Sequence, residues 1–136
     1  MALDTTRRRA YTVITRARAA AILIGTGDLA KGYALWSEIL DASDRDGERA
    51  VLAGATALFA NALADHDPSL AIELGALAES GAIVSFSAFT TQPRLRELVD
   101  THASAITAAR ARFDGFGYDD AIAFLRDALS PLTTRG

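Results

Sequence analysis

Two histidines, His66 and His102, are the first residues of the 136-residue chain to weigh as metal ligands or proton carriers. His66 stands between Asp65 and Asp67, where a solvated turn residue beside a capping aspartate is expected. His102 falls on the apolar stripe of a predicted helix, where a core ring bonded to a backbone carbonyl is expected. A metal site needs both rings to converge with an acid such as Asp65, and nothing in their spacing enforces that. Paired metal-ligand patterns such as H-x-x-x-H and E-x-x-H do not occur. Asp44, Asp46 and Glu48 make an acidic turn, with fewer oxygen ligands than a calcium loop needs. Ser43, Ser69, Ser80, Ser85, Ser87, Ser104 and Ser130 lie in neither a G-x-S-x-G elbow nor an S-x-x-K pattern. Ser85 and Ser87 are expected to bond local backbone. The chain has no cysteine, which excludes a thiol nucleophile, a disulfide framework and thiolate metal sites. The expectation is a chain with no catalytic set, no cofactor and no metal.

The run Gly25-Thr26-Gly27-Asp28-Leu29-Ala30 follows an apolar stretch and fits the G-x-G-x-x-A form of a dinucleotide-binding turn. That turn requires a parallel sheet and an acid ending a second strand. Here the apolar stretch continues a helical pattern from Ala10, and no strand–helix alternation follows. A helix–turn–helix junction is the expected structure.

Arginine is the remaining chemistry, supplying thirteen of the fourteen basic residues. Arg7, Arg8, Arg9, Arg16 and Arg18 lie on the first predicted helix, and Arg94, Arg96, Arg110 and Arg112 on the fifth. If those helices lie side by side, Arg8, Arg9, Arg16, Arg94, Arg96, Arg110 and Arg112 form one basic strip. Such a strip meets either an acidic protein or a phosphate backbone. Against nucleic acid stand the pI of about 5.3, the single lysine and arginines without interleaved aromatics. The net charge of −3 conceals balances of +4 over residues 1–27, −7 over 28–80, +2 over 81–113 and −2 over 114–136. Contact with another protein, or with a second copy pairing acidic middle to basic helix, is the favoured expectation.

The elements that must carry these residues are helices. Alanine fills 29 positions, half the chain is apolar and 7 % is aromatic, so helix formation costs little side-chain entropy. A first helix is expected over about Thr5–Ile24, burying Ala10, Ile14, Ala17, Ala21 and Ile24. A second, Leu29–Asp41, aligns Leu29, Tyr33, Trp36 and Leu40, and a polar turn from Asp41 to Gly47 follows. The third runs to about Ala64 with Val51, Ala55, Leu58, Phe59 and Ala62 inward. Asp67-Pro68 signals the start of a fourth, Pro68 to about Ser80, because aspartate caps and proline suits the first helical position. Ala82–Phe89 alternates like a strand without a partner and is read as a connector or short helical turn. The fifth helix spans about Pro93–Arg112, with Leu95, Leu98, Val99, His102, Ile106, Ala109 and Phe113 on one face. The sixth, Tyr118–Leu129, buries Ala121, Ile122, Leu125 and Ala128 before Pro131 ends it. The expected fold is a single all-α domain of about six helices in three consecutive hairpins.

Gly32 followed by Trp36 and Ile39-Leu40, and Ala121 followed by Leu125 and Ala128-Leu129, share a layout that Ala71 begins again. This resembles the second helix of tetratricopeptide repeats, and implies a short solenoid of helical hairpins as an alternative to a compact bundle. Repeats of that family recur at about 34 residues, whereas Gly32, Ala71 and Ala121 lie 39 and 50 apart. No stretch reads as a signal peptide or membrane span, so a cytoplasmic protein without membrane contact is expected. The expected function is a non-catalytic protein–protein interaction module: an adaptor, a chaperone or a small subunit of an assembly. The alternatives are a subunit contacting phosphates through the arginines of helices one and five, and a ligand-binding or enzymatic bundle with a pocket near Trp36 and His102.

Overall fold

The computed structural model describes residues 15–46, 49–83 and 87–133. Among these residues the fold is all-α, with eight helices and no strand. We number them α1 (residues 15–25), α2 (Leu29–Asp46), α3 (Arg49–Leu63), α4 (Pro68–Glu79), α5 (Ala88–Thr91), α6 (Pro93–Thr101), α7 (Ala103–Phe113) and α8 (Tyr118–Thr133). No helix of the described residues is long and apolar enough to cross a membrane.

Local chemistry sets several boundaries. Gly27 takes φ +93°, a left-handed conformation that ends α1 and turns the chain into α2. The Asp67 carboxylate accepts from the Leu70 N–H at 3.1 Å, with Pro68 opening α4 as expected. Pro93 holds the preceding Gln92 extended (φ −98°, ψ 119°), which separates α5 from α6. The expected connector thus contains a short helix, and Ala82 and Ile83 before it are buried.

Eight helices replace the expected six because α5 adds one and the expected fifth is broken in two at His102 (φ −128°, ψ 31°). Its apolar stripe is in phase along the whole length, so the break does not arise from sequence period. Both halves pack on α4, α6 lightly with Leu95 against Gly75 and α7 more extensively. Two other limits also moved. The acidic turn after Asp41 is helical through Asp46, and α8 continues past Pro131, which removes only one amide from its last turns.

The core centres on α4, which packs against α3, α5, α6, α7 and, more lightly, α8. Trp36 of α2 stacks on Phe59 of α3 with ring centroids 4.7 Å apart, and Tyr33 meets the same ring edge-on. Gly32 lets α1 cross close to α2, since a Cβ there would stand 2.7 Å from Ile24 Cγ1. The helix following α7 does not fold back on it as a simple hairpin: α8 lies mainly against α2.

The expected stripes hold for α2, where Tyr33, Trp36 and Leu40 are buried, and for Leu74 and Leu77 of α4. The stripe expected for α3 holds at Ala55 and Phe59 and fails at its other three positions. Its buried residues are Leu52, Ala53, Ala55, Thr56, Ala57, Phe59, Ala60 and Leu63, while Val51, Leu58 and Ala62 are only partly buried. That helix is apolar on nearly all sides, so periodicity alone could not orient it. Val99 is likewise 39 % exposed rather than buried.

Candidate interaction groove on α3

The outward strip of α3 forms the floor of a groove. Val51, Gly54 and Leu58 line its first part with Ala17 of α1 and Gln92, and enclose about 360 Å³. Further along the same side of α3 a second hollow of about 340 Å³ is lined by Asn61, Ala62 and Asp65 with Ala21, Ile22 and Gly25 of α1 and Arg94 of α6. One wall is therefore α1 and the other is the start of α6. The second wall is tied to the floor, because the Arg94 N–H donates to Asn61 Oδ1 at 2.8 Å. Ile22 stands on the α1 rim with 66 % of its surface exposed. Ile22 thus extends the apolar floor onto the rim.

Rim charge follows from helix geometry. At 100° per residue, Arg18 projects between Gly25 and Ile22 and so faces the groove, whereas Arg16 projects from the other side of α1. Both are exposed and neither has an ion-pair partner among the described residues.

The other arginines are placed differently from a free basic strip. Arg94 pairs with Asp65 (3.2 Å) and Glu97 (3.1 Å), and the Glu97 hydrogen bond followed by the Asp65 charge raises its pKa. Arg110 donates to Glu79 at 3.0 Å and lies over the Phe89 ring, while Arg112 donates to Glu73 at 2.8 Å and lies over Phe124. Arg110 and Arg112 project from opposite sides of α7, so they grip α4 from both flanks. Arg96 is exposed and unpaired among the described residues. Arg8 and Arg9 lie outside the described residues. Arg94 meets α1 across the groove, but Arg110 and Arg112 face α4, so the described arginines do not gather into one strip.

No family model, curated protein or solved structure matches the chain. The reading of the groove therefore rests on its own residues.

The histidines sit apart. His66 is exposed in the turn between α3 and α4, its N–H bonded to the Leu63 carbonyl. His102 is not a core residue: it is half-buried at the bend, with Nδ1 2.8 Å from the Thr101 hydroxyl. Among the described residues no three of His, Asp and Glu converge as a metal site would require. Trp36 is fully buried, and it and His102 line neither part of the groove nor the cleft between Glu79 and Phe116. The Trp36 Nε1 and Ser43 Oγ atoms are buried without a hydrogen-bond partner among the described residues, so packing alone holds these two side chains.

A second polar cluster fastens α8. Arg126 bonds Asp41 and Asp44 of α2, and the Tyr118 hydroxyl donates to Asp44 at 3.3 Å. The Asp41 hydrogen bond raises the Arg126 pKa, and burial followed by the Asp44 charge raises that of Tyr118. Arg49 covers the Tyr118 ring at 4.1 Å. These groups all bond one another and belong to the scaffold.

The groove residues Val51, Leu58 and Ala62 were visible in the sequence, but as an inward stripe. The signal that separates them is the further apolar run on the same helix, Leu52, Ala60 and Leu63, which the core takes together with Phe59.

Proposed function

We propose that this chain is a non-catalytic protein–protein interaction module, built as a compact helical bundle, that binds its partner along the α3 groove. The supporting observation is the outward apolar face of α3, walled by α1 and α6 and bordered by the exposed Ile22. Apolar grooves between helices are a common seat for a partner's helix. The closure of α2 against α8 favours a bundle over an open tetratricopeptide-like solenoid. The arginine pairings with Glu73, Glu79, Asp65 and Glu97 favour protein contact over a phosphate-tracking strip. The test is a photo-crosslinking residue placed at Ile22 and, separately, at the exposed Ala123 of α8, in extract of the native host. A discrete adduct from position 22 and none from position 123 is the expected result. No adduct at position 22, with a strict monomer by light scattering, would remove the reading.

A further inference from the structure

Resting on that reading, we infer that the occupant of the groove is a single amphipathic helix of a partner protein, acidic beside its apolar ridge. The floor positions Val51, Gly54, Leu58 and Ala62 recur every three or four residues, the spacing at which a second helix interdigitates. From Val51 to Ala62 the floor runs about 16 Å, room for about three turns of helix. Gly54 and the alanines of α1 keep it shallow in side-chain terms, so the docking helix supplies the large residues.

Charge selects the occupant. Arg18 faces the groove, exposed and without a partner among the described residues. The two charged residues that line the groove itself, Arg94 and Asp65, pair with each other, so Arg18 is the uncompensated charge on its rim. A helix bearing Asp or Glu along its flank is drawn to that rim, and one bearing Lys or Arg is repelled. The same charge argues against a second copy. A twofold contact through Ile22 would bring two unpaired Arg18 side chains together. A contact through another face needs an apolar ridge, and Val99 is the only other exposed large apolar residue among those described.

The experiment uses a fluorescent 14-residue helical peptide with leucine at positions 1, 4, 8 and 11 and glutamate at the flanking positions, beside a twin with lysine for glutamate. Anisotropy titration is expected to show the glutamate peptide binding at least about tenfold tighter than its twin. Arg18→Glu should abolish or reverse that preference, and Ile22→Asp should weaken the glutamate peptide about tenfold. Both positions are exposed, so circular dichroism of the two variants should match the parent. Amide shifts on peptide addition should fall on the outward face of α3 and on α1. Equal or absent binding of the two peptides overturns the inference, as do shifts confined to α7. Displacement of the peptide by a 20-base-pair duplex overturns it in favour of phosphate, and a dimer dissolved by Ile22→Asp overturns it in favour of self-association. An adduct at position 22 without a glutamate preference overturns the acidic occupant alone, whereas loss of that adduct overturns the interaction reading beneath it.

Discussion

Helices α3 and α4 lie side by side and are both short of charge, yet they are used differently. Around α4 the neighbours α3, α5, α6 and α7 leave little uncovered, and its buried run from Leu74 to Ala78 is continuous. Around α3 the neighbours cover the Leu52–Phe59–Leu63 side and leave Val51, Leu58 and Ala62 in a groove. An apolar helix is thus a structural centre when it is enclosed. It becomes a binding surface when one strip stays open, and the residue types do not differ between the two cases.

The comparison breaks most severely at Phe59. Its ring joins Trp36 and Tyr33, so Phe59→Ala is expected to cost about 3–5 kcal/mol, read as a lower urea midpoint at constant slope. The next effect is a response to pH on the enclosed side. Tyr33 is pushed up to about 12, first by burial and then by the charge of Asp67. Between pH about 10 and 12 the unfolded chain releases that phenolic proton while the folded chain keeps it, so stability falls as pH rises. The loss should reach about 2–3 kcal/mol by pH 12, and Tyr33→Phe should flatten that slope. Tyr118, raised in the same direction, accounts for part of what remains. Smaller again is Leu58→Ser, one residue from Phe59 but turned into the groove, at about 1 kcal/mol. A urea midpoint for Leu58→Ser as low as that of Phe59→Ala would place the groove floor in the core and erase the distinction. Smallest is Arg110→Ala, which removes a partly exposed pair with Glu79 and should cost about 0.5 kcal/mol, less at high salt.

What could be read from the residues follows the same division. The Asp67-Pro68 start of α4 and the Tyr33–Trp36–Leu40 face of α2 were legible because each has one local physical cause. The open face of α3 was not, because a helix apolar all round offers several equivalent stripes and only the neighbours choose among them. The bend at His102 was hidden for the opposite reason. Its stripe is regular, and that both halves pack on the one helix α4 is visible only in the fold. The arginine clusters were legible as charge but not as partners. The acids that hold Arg110 and Arg112 lie 31 and 39 residues away in the chain.

The seating of α8 on α2 also sets an order of events. Arg126 and Asp41 are 85 residues apart, whereas α3 and α4 are joined by a single short turn. Closing the longer loop costs about 2–3 kcal/mol more in chain entropy, so the α3–α4 pair is expected to form first and α8 to dock late. In a chevron plot, Arg126→Ala should then raise the unfolding limb and leave the refolding limb nearly in place.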